Sequence, residues 1–144
     1  VVEVSKKASE KKKTNVIALE LPKGKIITGK QTDLLSPASS VIINAIKELS
    51  KIPDEINLLS PTILEPILKL RKNNNTLSLQ EVLIALAVCS VTNPSIASAL
   101  EKLEVLKDCE AHATYIVTNG DLKALKSLKI NLTCEPNFYS KEIM

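Results

Sequence analysis

The sequence predicts an α/β fold: a three-layer α-β-α sandwich around a mostly parallel central sheet, with an antiparallel hairpin at one edge. Three observations carry this expectation. Short apolar runs bounded by turn residues alternate with longer stretches of helical periodicity. Three cap-plus-proline pairs, Ser36-Pro37, Ser60-Pro61 and Asn93-Pro94, each open one of the longer stretches. The 144 residues, 44% apolar and 24% charged, suffice for one domain that buries roughly 68–70% of its unfolded surface.

The elements follow in order. Val16–Leu21 and Lys25–Thr28 flank Pro22-Lys23-Gly24 and read as a hairpin. Ser36-Pro37 opens a helix to about Ser50, with Val41, Ile42, Ala45, Ile46 and Leu49 on one face. Ile56–Leu59 reads as a short buried strand. Ser60-Pro61 opens a second helix that ends near Arg71, with Pro66 predicting a kink or a start displaced toward Glu65. Ser78-Leu79-Gln80-Glu81 has the spacing of a capping box. The run after it, Val82–Cys89, is apolar all round, which predicts a helix buried on every side. Asn93-Pro94 starts a helix through about Leu106, and Cys109–Val117 reads as a strand. Asn119-Gly120-Asp121 turns into a helix over Leu122–Leu128, and Ile130–Cys134 is a last strand. Strands separated by helices imply mostly parallel pairing with helices on both faces.

Charge divides the chain. Residues 1–30 hold eight Lys and three Glu, a net of +5, whereas the other 114 positions hold 11 basic and 13 acidic residues, a net of −2. The basic excess sits in residues 1–15, which read as a basic linker or helix end, and 16–144 read as a single α/β domain. A nucleic-acid arm is the alternative for the lysines. It is the less favoured one, because the folded part supplies no sustained basic face and three aromatics leave little to stack on bases. The longest apolar run, Val82–Cys89, falls far short of the roughly 20 residues a bilayer needs, so no membrane partner is expected. Three widely spaced cysteines and no visible secretory signal point to a cytoplasmic protein. The chain begins Val1-Val2-Glu3 and its only methionine is Met144, so it is expected to be a piece of something longer.

Ligands of open parallel sheets collect at strand carboxyl ends, against the next helix N-terminus. Two places fit. One is Thr28-Gly29-Lys30, with Asp33 close behind. The other is Leu59-Ser60-Pro61-Thr62. Were they to converge, Lys30 would supply charge, and Ser60 or Thr62 hydroxyl donors, for a phosphate or carboxylate. The blander account is a capping serine and a surface lysine. No phosphate-loop or dinucleotide fingerprint occurs.

Acid–base or thiol chemistry would draw on His112, Glu110, Cys134 and Glu135, if the last two strands end side by side. Burial of Cys134 at a strand end is the plainer reading. Cys109 and His112 are three apart, which on a strand sets them on opposite faces, and no Cys-x-x-Cys arm accompanies them. No metal site is therefore assigned, and no cofactor is specified.

Several stretches recur together in one known family: Leu21–Lys30, Leu59-Ser60-Pro61 with Glu65-Pro66-Ile67, Glu81–Leu86, Thr92-Asn93-Pro94, Cys109–His112 and Asn131–Pro136. In that order they resemble the C-terminal part of the uncharacterised bacterial family called domain of unknown function 1846, over nearly all of Val16–Pro136. Members of that family are considerably longer. Their upstream region carries a glycine- and serine-rich stretch ending in lysine, similar to a phosphate loop and absent here. The resemblance implies an α-β-α layered subdomain similar in topology to the cytidine-deaminase-like folds. It implies no reaction, because a zinc deaminase needs H-x-E and P-C-x-x-C, and here His112-Ala113-Thr114 stands without them.

Three functional readings follow. The favoured one is a folded C-terminal module that completes a ligand pocket or a subunit interface of a longer protein. Its expected partners are the missing upstream region, a second copy in a homo-oligomer, or a phosphorylated small molecule. The second is half of an enzyme site for a nucleotide or other phosphorylated metabolite, so enzyme status stays open. The third, a basic-arm nucleic-acid binder, ranks last.

Overall fold

Residues 1–12, 14–71 and 76–134 are described by the structure, a computed structural model. Its elements are α1 (Val2–Lys12), β1 (Val16–Glu20), β2 (Ile26–Lys30), α2 (Pro37–Leu49), α3 (Pro61–Lys69), α4 (Leu79–Ser90), α5 (Pro94–Glu101), a 3-10 turn (Lys102–Leu106), β3 (Glu110–Ala113), α6 (Asn119–Ser127) and β4 (Asn131–Cys134). No helix among the described residues is long and apolar enough to cross a membrane.

Local chemistry explains the element starts. Ser36, Asn93 and Thr118 each accept a backbone N–H of the first helical turn that follows. Ser78 and Glu81 form the reciprocal capping box that their spacing predicts. In the hairpin the Gly24 N–H donates to the Leu21 carbonyl, with Lys23 and Gly24 both at positive φ.

The four strands lie in the order β2-β1-β3-β4. Here the expected mostly parallel sheet is corrected: β1 pairs antiparallel with both β2 and β3, and only β3 and β4 are parallel. The hairpin puts β1 inside the sheet rather than at its edge, so β2, β3 and β4 share one direction and β1 opposes them. The expected strand at Ile56–Leu59 is also absent. Those residues form an irregular segment in which Leu58 and Leu59 are buried and Ile56 is exposed. Leu58 and Leu59 alone seal the core there, and the segment between Pro53 and Pro61 pairs with no strand.

The register sorts side chains between two faces. Ile17 pairs with Gly29 and Ala113, and Leu19 with Ala111, so these residues share the face that α2 covers. Gly29 is what lets α2 approach: a Cβ there would lie 2.1 Å from the Val41 backbone nitrogen. Ala18, His112 and Thr133 share the other face, against which α1 lies. Helices on both faces of a mixed open sheet make an α/β fold. The basic N-terminal segment holds the helix α1, in which fully buried Ser5 faces the sheet while Lys6, Lys7 and Lys11 are exposed.

The remaining departures have similar causes. Helix α4 is not enclosed: Leu79, Val82 and Leu86 are buried, but Ile84 is 57% and Val88 67% exposed. Composition that is apolar all round leaves the outward face unmarked in the sequence. Pro66 neither displaces the start of α3, at Pro61, nor ends it. The helix from Asn93 tightens into the 3-10 turn after Glu101, and the strand expected over Cys109–Val117 shortens to β3.

Candidate functional site

Pairing of Val16 with Lys30 and of Ile17 with Ala113 puts the start of β1 and the ends of β2 and β3 at one sheet edge. A cleft of about 610 Å³ opens there. Asn15 enters β1, Gln31 leaves β2, and Tyr115 and Ile116 leave β3 along its floor. Its walls are the first turns of three helices: Ser36 of α2, Ser78 and Glu81 of α4, and Thr118, Gly120 and Asp121 of α6. Arg71 completes the lining from the end of α3.

These first turns are tied together. The Ser36 N–H and the Ser39 hydroxyl both donate to the Leu77 carbonyl, at 3.1 and 3.0 Å. Asp121 is 2% exposed, and its Oδ1 accepts the Leu79 N–H at 2.7 Å, joining α6 to α4. Arg71 Nη1 donates to Glu81 Oε1 at 2.9 Å and to the Thr76 carbonyl at 2.7 Å. That same Glu81 oxygen accepts the Ser78 N–H at 2.9 Å, so one carboxylate serves the helix cap and the arginine together. The lining therefore carries one guanidinium and two carboxylates amid hydroxyls and amides. Such a surface suits a polar ligand held by directed hydrogen bonds.

Tyr115 differs from its neighbours. Its hydroxyl is shielded from solvent and meets no hydrogen-bond partner among the described residues. Burial first, then the charges of Asp121 and Cys134, raise the phenol well above its ordinary value and keep it a neutral donor.

The residues singled out from sequence distribute differently. Lys30, at the end of β2, lines a smaller cavity of about 210 Å³ beside the cleft, which Leu58 and Leu59 also line. The two stretches expected to converge thus meet at that cavity, through Leu59 rather than Ser60. Asp33 and Thr62 are exposed and line neither cavity, and Ser60 begins α3 without a side-chain cap bond. Glu110 opens β3 opposite Asn131, at the far edge of the sheet from Lys30. His112 is buried in mid-strand, its Nδ1 2.6 Å from Thr133 Oγ1. Cys134 pairs with Ala113 and so lies on the other face from His112. Glu135 lies outside the described residues. Lys30, Ser60, Glu110 and His112 therefore do not gather at one rim: strand direction sets Glu110 at the opposite end of the sheet from Lys30, His112 lies in mid-strand, and Ser60 belongs to no strand.

Cys109 is buried against the Val105 carbonyl. Burial first, then the charges of Asp108, Glu20 and Glu110, push its thiol up, away from the nucleophilic form. Among the described residues no three His, Cys, Asp or Glu side chains gather as a metal site would require.

Arg71, Tyr115, Asp121 and the cleft-side role of Glu81 went unmarked in the sequence. The capping box placed Glu81 at a helix start, and Thr118–Asp121 carries a cap signal. Nothing local says that the two starts face each other across 42 residues.

Comparison with known proteins gives one consistent result. A family model described as "Domain of unknown function DUF1846, C-terminal" matches residues 1–144. A UPF0371 protein of Clostridioides difficile strain 630 is 46% identical over 133 residues, 89% of this chain and 26% of the relative. One of Clostridium botulinum strain Eklund 17B is 48% identical over the same coverage. Another, of Clostridium botulinum strain Langeland, is 39% identical over 145 residues, 97% of this chain and 29% of the relative. The chain thus spans between a quarter and a third of the length of these relatives.

Proposed function

The chain belongs to the DUF1846 family, as its C-terminal domain, and from that premise we propose that it completes a ligand pocket of a longer protein. The observation that carries this reading is the cleft at the carboxyl ends of β2 and β3, where the first turns of α2, α4 and α6 converge around Arg71. Ligand sites of α/β sheets favour this edge. At about 610 Å³ the cleft falls within the size of small-molecule sites. Its polar groups are cross-braced by hydrogen bonds, which keeps them aimed. The relatives' additional length provides a source for the opposing wall. The order β2-β1-β3-β4 with helices on both faces supports, within the same proposal, a topology similar to the cytidine-deaminase-like folds.

Hydrogen–deuterium exchange tests the reading, comparing this chain with the full-length protein. Added protection at 31–36, 76–81 and 115–121 is expected when the upstream region is present. Equal exchange at all three segments in both forms would overturn it.

A further inference from the structure

The smaller cavity beside the cleft holds two polar groups that folding alone leaves unexplained. Ser40, Asn44 and Lys47 line it from one face of α2, at i, i+4 and i+7. Lys47 is only 5% exposed, and its ammonium, which has three N–H donors, makes one hydrogen bond among the described residues, to the Asp54 carbonyl at 3.0 Å. Ser40 is 6% exposed, and its Oγ is shielded from solvent and has no hydrogen-bond partner among the described residues. A buried cation with donors to spare and a buried hydroxyl with none used are each unfavourable unless something polar joins them. Lys30 adds a second positive charge, and among the described lining residues Asp54 is the one carboxylate against the two lysines. Leu35, Ile43, Leu58 and Leu59 supply apolar walls, which strengthen any charge interaction inside by excluding water.

We propose that this cavity is a binding site for a small oxyanion of the phosphate class, with Lys47 Nζ and Ser40 Oγ as inner donors and Lys30 adding charge at the exposed end of β2. Its volume of about 210 Å³ admits a phosphate group, but lies below the roughly 300 Å³ at which sites for whole drug-sized molecules begin. The site is distinct from the cleft proposed to bind the main ligand. Gln31 and Ser36 of the β2–α2 connection line that cleft, and Lys30, Thr32 and Leu35 line this cavity.

Calorimetric titration of the full-length protein with inorganic phosphate tests the proposal, with acetate and chloride at matched ionic strength as the other arms. Phosphate should saturate one site, and Lys47→Met should weaken binding by about tenfold or more, as loss of a charge-assisted bond implies. Ser40→Ala should weaken it by about threefold, as loss of a neutral hydrogen bond implies. Circular dichroism checks that each variant is folded. If Lys47→Met does not fold, Lys30→Ser combined with Ser40→Ala decides the matter, and that pair should also weaken binding. Phosphate affinity unchanged by these substitutions, no saturable phosphate binding, or equal saturation by acetate would overturn the assignment.

Discussion

The Asp121 carboxylate accepts the Leu79 N–H at 2.7 Å, and through that one bond the first turn of α6 holds the first turn of α4 at the mouth of the cleft. Both groups are buried, so removing the acceptor leaves an amide with neither water nor partner. Asp121→Ala should cost about 2–3 kcal/mol, the range for a bond to a charged group whose loss strands a buried donor. Asp121→Asn keeps an acceptor and should cost about half as much or less. Urea unfolding of the two variants checks the order, and equal losses would show that charge rather than the bond matters.

Gly29 marks where the sheet and α2 approach most closely. A Cβ placed 2.1 Å from the Val41 nitrogen meets backbone, which cannot rotate aside as a side chain would. Gly29→Ala should therefore cost about 3 kcal/mol, at the upper end of overpacking. At Gly24 nothing lies within 4 Å of an added Cβ, but its φ of +92 makes alanine unfavourable for backbone reasons alone. Gly24→Ala should cost about 1 kcal/mol. Denaturant midpoints for the pair separate steric from conformational cost.

Legibility follows the range of the interaction. Ser36, Ser78, Asn93 and Pro22-Lys23-Gly24 act within a few residues of themselves, and the element starts they predict are present. Strand direction is not local. Nothing in Val16–Glu20 says that it pairs with β3 as well as with its hairpin partner, so the sheet was expected to be mostly parallel. The site follows the same rule. Lys30 is legible because it follows the strand predicted over Lys25–Thr28, and it lines a cavity. His112, Glu110 and Cys134 looked like neighbours because register, which sets faces, is invisible in a list of residues. Tyr115 and Arg71 carry no motif, and they acquire roles only when three helix starts meet.

Alkaline pH should weaken the fold, and the sign follows from two raised groups. Burial raises Cys109 from the ordinary thiol value of 9.0 and Tyr115 from the ordinary phenol value of 10.0. Above those values the unfolded chain releases protons that the folded chain retains, so the unfolded state binds fewer and stability declines with pH. Stability should hold to about pH 8.5 and fall beyond about pH 9. Tyr115→Phe should flatten the fall above about pH 10. Urea midpoints across this range check the slope, and an unchanged slope in the variant would remove Tyr115 as its cause.

The 2.6 Å contact between His112 Nδ1 and Thr133 Oγ1 ties β3 to β4 on the α1 face, while Cys134 projects to the other face. Two consequences separate this arrangement from a thiol–imidazole pair. Thr133→Val should cost about 1 kcal/mol, the net worth of one hydrogen bond, and Thr133→Ser should recover most of it. Alkylation of Cys134 by iodoacetamide should change less than about twofold in His112→Asn, since a thiol is activated only by a base or cation within reach. A sharp slowing in that variant would mean that His112 and Cys134 meet, and the register described here would then be wrong.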